Sequence, residues 1–310
     1  MSTPNWPVFT FCLVASIGAS AVLQDRTPLA FGTGGATLSY VVLGDSTAAG
    51  IGAPYDDGIA VKTAVALGQT HRVSMRNVAV SGARMRDVLE RQLSIAEAAR
   101  PDLVLISAGA NDVTHLTSIA SMRRSLRAIV ARLRTANPHV AIVITGAPDM
   151  GSPPRIPWIL RGPASIRTKM VNRFFEKEAR DLELTLAPIA EVTGPMFRKD
   201  RSLFADDRFH PNGRGYATWV PVLSRALADA LRARTGNVAR PDRDSVQRCA
   251  GGVQPPHARA VDERLHDRGN TRRGRTDRVT VVLQHDMPAV RQRADHFFAE
   301  TRGRDGIQIA

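Results

Sequence analysis

The chain is poor in cysteine, in aromatic residues and in acidic side chains, and each shortage removes a class of explanation. Its two cysteines, Cys12 and Cys249, stand near opposite ends, and support neither a disulfide framework nor a zinc site. Only 5% of residues are aromatic, and no basic run is interleaved with stacking side chains, so nucleic acid is not an expected partner. The 29 Asp+Glu against 42 Lys+Arg leave a formal charge of +13, carried almost entirely by arginine. That balance suits an arginine-rich surface and, at most, weak association with an anionic membrane surface. No internal repeat is visible.

Charge is also missing from the first 24 residues. Within them Val8–Leu23 is mostly apolar, short for a comfortable transmembrane helix but long enough for the apolar part of a signal peptide. Ala19-Ser20-Ala21 offers a small-residue cleavage pattern, although Pro4 and Pro7 stand where basic residues usually precede such a segment. The expectation is export or amino-terminal anchoring of residues 1–35, with a cytoplasmic chain as the alternative.

What is present is one sizeable core: 310 residues, 43% of them hydrophobic. From residue 36 to 234 two textures alternate, as in a β/α chain. Strands are expected at Tyr40–Leu43, Ser74–Val80, Leu103–Ser107, Val140–Thr145 and Leu184–Ala187. Their runs lack polar alternation, which suits parallel strands covered on both faces. Amphipathic helices are expected between and after them. Their apolar stripes are Met122, Leu126, Ile129, Val130 and Leu133; then Ile166, Met170, Phe174 and Phe175; then Tyr216, Val220, Leu223, Leu227 and Leu231. The expected fold is a three-layer α/β/α domain with about five parallel strands. Residues 235–310 turn rich in Arg, Asp, Gly and Pro, with only Val279–Leu283 strand-like, and read as a largely disordered tail.

Tyr40-Val41-Val42-Leu43-Gly44-Asp45-Ser46 reads as a buried strand ending in a tight turn that delivers Ser46 at the strand's carboxyl end. Ligands of open parallel sheets bind outside those ends. A serine hydroxyl needs a base, a group that orients the base, and donors for the oxyanion. Asp207-Arg208-Phe209-His210-Pro211 offers a base, His210, and its orienter, Asp207, at a spacing one short turn can present together. The donors would be the N–H groups of Ser46 and Gly82 and the side-chain amide of Asn111, each just after a predicted strand. Any one of these motifs is an ordinary turn or cap. Their shared placement after successive strands brings them to one sheet edge.

Gly44-Asp45-Ser46, the Gly82 segment, Gly109-Ala110-Asn111-Asp112 and Asp207-x-x-His210-Pro211 resemble, in order, the four blocks of the SGNH hydrolase (GDSL-type esterase and lipase) superfamily. The resemblance spans most of residues 40–215. It implies a flavodoxin-like fold and ester hydrolysis through an acyl-enzyme. By position it makes Ser46 the nucleophile, His210 the base, Asp207 its orienter, and Ser46, Gly82 and Asn111 the oxyanion hole. Thr47 stands where the family name has leucine, at a position that carries no chemistry.

Other polar residues fit less well. Asp206 has the wrong spacing to His210, Asp45 suits the turn better than base catalysis, and His115, His71 and His139 read as surface or packing residues. No ligand cluster for a metal accompanies Asp206, Asp207 and His210, and no cofactor is implied. Ile156, Trp158, Ile159 and Leu160 are too apolar for an idle loop and are expected to line or cover an acyl pocket. The expected substrate is a small-molecule or lipid acyl ester. Alternatives are a carbohydrate O-acetyl ester, a lysophospholipid or a thioester, and, outside catalysis, a membrane-surface or nucleic-acid binding protein on the same fold.

Overall fold

The computed structural model describes residues 28–238. Cys12, Cys249, the apolar 8–23 segment and the tail from 239, including its strand-like 279–283, lie outside the described residues.

Six strands form one sheet, in the order β1-β3-β2-β4-β5-β6. They are β1 (Leu29–Phe31), β2 (Thr37–Gly44), β3 (Arg72–Asn77), β4 (Leu103–Ser107), β5 (Ala141–Ile144) and β6 (Thr185–Leu186). The last five are parallel, with Val42 opposite Asn77 and Leu43 opposite Ile106. The expected five parallel strands are therefore joined by a sixth, β1, which pairs antiparallel with β3 through Leu29 and Met75. It lies ahead of residue 36, so the sheet begins earlier than expected. The expected Ser74–Val80 strand is shifted to Arg72–Asn77, although Val78 and Val80 still donate to the Val42 and Gly44 carbonyls.

Residues of β2 point alternately to two faces, and both faces are apolar. Leu38, Tyr40 and Val42 pack with the helices α2 (Ile59–Leu67), α8 (Ile189–Lys199) and α9 (Gly213–Val238). Val41 and Leu43 pack with α3 (Met85–Asp87), α4 (Leu93–Ala98), α6 (Ile119–Ala136) and α7 (Trp158–Asp181). This double coverage is why β2, β4 and β5 read as continuous apolar runs, whereas β3 alternates Arg72, Ser74 and Arg76 with buried Val73 and Met75. Burial of each Leu or Ile stabilises the fold by about 1.5–3 kcal/mol.

The stripe expected on α6 is its buried face. That on α7 is corrected: Ile166 and Met170 are exposed, and Val171, Phe174, Phe175 and Ala179 form the core face. Beside that core face, α6 and α7 are joined at Glu178, whose fully buried carboxylate accepts from Arg123 Nε at 2.8 Å and Arg127 Nε at 2.6 Å. On α9, Tyr216, Leu223 and Leu227 are buried as expected, and Trp219 joins them.

Successive strands lie on either side of β2, with β3 to one side and β4 to the other. The crevice outside the carboxyl ends of β2 and β4 is thus the topological switch point, where parallel sheets bind ligands.

Candidate active site

β2 ends at Gly44, whose φ of +147° and position against the Ser107 carbonyl leave no room for a Cβ. Asp45 then caps the four-residue helix α1 (Ser46–Ala49), accepting from Thr47 N at 2.9 Å and Thr47 Oγ1 at 2.8 Å. Ser46 is consequently the first helical residue, buried but for its opening onto the crevice.

The imidazole arrives from the loop between α8 and α9. Arg208, at φ +59°, turns the chain so that Asp207 Oδ1 accepts from Phe209 N at 2.9 Å and His210 N at 3.0 Å. Asp207 Oδ2 lies 2.5 Å from His210 Nδ1, and His210 Nε2 lies 2.9 Å from Ser46 Oγ. With Nδ1 donating to the carboxylate, Nε2 is free to accept the serine proton. Gly52, at φ +97°, lets the loop after α1 press against the His210 side chain and the Pro211 carbonyl. Tyr216 on α9 fastens that same loop, donating to the Ile51 carbonyl at 2.7 Å.

Electrostatics separate the acids. Partial burial works to raise the Asp207 carboxyl, but bonds from the His210 side chain and from the His210 and Phe209 N–H groups outweigh it, and it lies below the ordinary range. Burial instead pushes Asp45 up to about 6, despite its bonds from Thr47 and the proximity of His210. Asp45 Oδ2 is buried with no partner. One carboxylate is therefore held charged beside the imidazole, and the other is costly to charge.

Ser46 and Asn111 line the crevice, whereas Gly82 lines a small polar pocket beside it with Ser81, Asp87 and Arg91. Asn111 Nδ2 donates to the Ala83 carbonyl at 3.2 Å, tying the Gly82 turn to α5 (Ala110–Thr114). A second tie is Asp112, whose buried carboxylate accepts from Met85 N at 3.0 Å. Gly82 takes φ +82° with open space where a Cβ would lie, so its backbone conformation, not crowding, favours glycine.

The crevice is an open cleft of about 530 Å³. Its apolar wall is Pro148, Met150, Phe197, Phe204, Phe209 and Trp219. Phe197 stacks edge-on to Phe204 at 5.1 Å, and Phe209 edge-on to the His210 ring at 5.1 Å. None of the four residues expected at an acyl pocket lines it. Ile156 is buried behind the loop, Leu160 is half-buried, and Trp158 and Ile159 face outward on α7. His115 and Asp206 are exposed and off the cleft; His71 and His139 sit at strand starts, away from it. Among the described residues no group of three or more His, Cys, Asp or Glu could hold a metal ion.

Two residues escaped the sequence reading. Gln92, from a π-helical turn (Val88–Gln92) between α3 and α4, clamps the last residue of β2: its Oε1 accepts from Gly44 N and its Nε2 donates to Gly44 O, both at 2.8 Å. Asp149 on the cleft wall accepts from Gly151 N at 3.1 Å, Ser165 Oγ at 2.7 Å, Ser152 Oγ at 2.8 Å and Arg198. Burial opposes its charge, but those donors keep its carboxyl below the usual range. The signal available for Gln92 was a polar residue with Val88, Leu89, Ile95 and Ala96 at helical spacing around it; for Asp149 there was none.

Comparison with known proteins extends this picture. The chain is 31% identical over 200 residues to the GDSL-like esterase Rv1075c of Mycobacterium tuberculosis; the alignment spans 63% of this chain and 63% of that relative's length. Solved structures share the fold. TesA superposes with a TM-score of 0.52 at 18% identity, covering 62% of this chain and 99% of that one. The lipase Lip_vut3 from a goat rumen metagenome gives 0.52 at 19%, covering 61% and 97%. The model of the GDSL-like Lipase/Acylhydrolase family matches residues 42–218, from the β2 strand before Ser46 through the His210 loop, and the chain belongs to that family.

Proposed function

We propose that the protein hydrolyses carboxylic acyl esters through an acyl-enzyme on Ser46. The observation that supports this reading most is the continuous line from Asp207 Oδ2 through His210 to Ser46 Oγ, with steps of 2.5 and 2.9 Å. Ser46 Oγ attacks the ester carbonyl carbon as His210 Nε2 takes its proton. Asp207, held charged, keeps Nδ1–H in place and stabilises the imidazolium. The carbonyl oxygen, now an oxyanion, is held by the N–H groups of Ser46 and Gly82 and by Asn111 Nδ2–H. The tetrahedral adduct collapses, His210 returns the proton to the departing alkoxide, and the acyl group remains on Ser46. Water then loses a proton to His210 as it attacks the acyl carbon; this second adduct collapses, the bond to Ser46 Oγ breaks, and His210 returns the proton to Oγ as the acid leaves.

The aromatic wall supports an apolar acyl group over a polar sugar as the occupant of the cleft. The test is hydrolysis of p-nitrophenyl esters from acetate to palmitate by the native chain, Ser46→Ala and His210→Ala. Loss of turnover in both variants is expected, with preference for acyl chains longer than acetyl. Near-normal rates in both would overturn the mechanism, and activity confined to acetyl esters would favour a carbohydrate deacetylase.

A further inference from the structure

The outer face of α7 carries side chains that neither the core nor the cleft uses. Trp158 is 80% exposed, Ile159 65%, Ile166 63% and Met170 50%. At 100° per residue, Ile159, Ile166 and Met170 fall on one strip, and Trp158 lies about 100° round from Ile159 at the start of the helix. Arg167 donates to the Thr117 carbonyl, which brings exposed Leu116 alongside. Exposed apolar groups scattered singly need no explanation, but a strip of large ones does.

The charge around the strip is of one sign. From Arg155 to Phe175 there is no Asp or Glu, and Arg155, Arg161, Arg167, Lys169 and Arg173 are all cationic. None of these five is in an ion pair among the described residues. Arg161 and Arg167 spend their donors on backbone carbonyls, which leaves their charge uncompensated. Elsewhere in the fold some arginines are paired, Arg123 and Arg127 with Glu178, Arg132 with Glu97 and Arg234 with Asp102, while others such as Arg72, Arg100 and Arg124 are not; what sets this segment apart is five cations with no acid among them. Tryptophan and aliphatic residues interleaved with unpaired cations make the composition of a helix that lies in a lipid headgroup layer. No described helix is long and apolar enough to cross a membrane, so contact would be at the surface.

We propose that the outer face of α7, with Leu116, docks on an anionic lipid surface. The face begins where the cleft wall ends, since Asp149, Met150, Ser152 and Pro153 line the cleft and Trp158 opens the helix. Docking there sets the cleft mouth at the headgroup boundary. The proposal rests on the helix face and adds to the ester-hydrolase reading a surface from which an acyl ester is drawn.

The test is co-sedimentation of the full chain, carrying Ser46→Ala so that vesicles stay intact, with vesicles of phosphatidylglycerol and phosphatidylcholine or of phosphatidylcholine alone. Binding to the anionic vesicles, weakened by salt, is expected. Two double variants, Trp158→Ser with Ile159→Ser and Lys169→Glu with Arg173→Glu, should each lower the partition coefficient by about tenfold or more. In the native background both should hydrolyse a soluble short-chain ester at the parental rate, which separates this proposal from the catalytic reading. Undiminished vesicle binding in both variants overturns the proposal, and would assign binding to the 8–23 segment. So does self-association in the absence of lipid that the same substitutions abolish, since the face would then belong to a second copy.

Discussion

At residue scale the site assigns opposite tasks to two acids that both feel the same imidazole. Asp207 was legible from its spacing to His210, because one turn suffices to join them. Asp45 was legible only as a turn residue; its cost emerges from full burial, which no local pattern encodes. Its carboxyl rises from 3.8 to about 6 in the fold, so the native state binds this proton more tightly than the unfolded chain does. Stability from this group is then fully present below about pH 4 and is lost as pH climbs to about 6. Asp45→Asn keeps an acceptor for Thr47 and removes the titration. Thermal melts of the two proteins should therefore diverge from pH 4 to 6, the variant gaining on the order of 2–3 kcal/mol at the upper end. Parallel profiles would mean Asp45 ionises normally. Asn111→Ala should lower kcat on the order of a hundredfold or more with little change in KM. A melt decides whether its bond to Ala83 O contributes to that loss.

At element scale, strands were the most legible feature, because apolar β-branched runs covered on both faces leave a strong trace. β1 left none: three residues, Leu-Ala-Phe, form a strand only because β3 offers its edge. The α7 stripe misled for a different reason. Ile166 and Met170 are apolar yet exposed, so periodicity chose the wrong arc of the helix. The π-helical turn was invisible too, since an extra residue per turn follows no simple period, and such turns recur at functional sites. Here it brings Gln92 inward to both polar groups of Gly44, two residues ahead of Ser46. Gln92→Leu takes the acceptor from the buried Gly44 N–H, while Gly44 O keeps its bond from Val80 N, which should cost about 1–3 kcal/mol of stability by denaturant titration. Gln92→Glu keeps the acceptor for Gly44 N but sets an oxygen against Gly44 O. It should lower kcat more than KM, because the strand end that carries Ser46 is displaced. Native stability in Gln92→Leu would show that the clamp is dispensable.

At the scale of the whole molecule, the catalytic line was readable because each motif follows a strand, and parallel strands end on one edge. The cleft was not, because its wall is assembled from a loop after β5, from α8 and from α9, far apart in sequence. Trp158 and Ile159 were plausible lining residues by position but not by direction: α7 carries them outward. Asp149 packs against Gly194, inside α8, and both line the cleft. A methyl there would sit 3.4 Å from Asp149 Cβ, at ordinary van der Waals contact. Gly194→Ala should thus be tolerated and stabilise the helix by up to about 1 kcal/mol. Gly194→Leu places a branched side chain between Asp149 and the aromatic wall, so it should lower kcat/KM for long acyl esters by about tenfold or more while acetate turnover persists. A chain-length profile for the three proteins measures this directly. If Leu at 194 left long-chain esters unaffected, the acyl group would not run along this part of α8; an equal loss on every ester, acetate included, would put the alcohol side there instead.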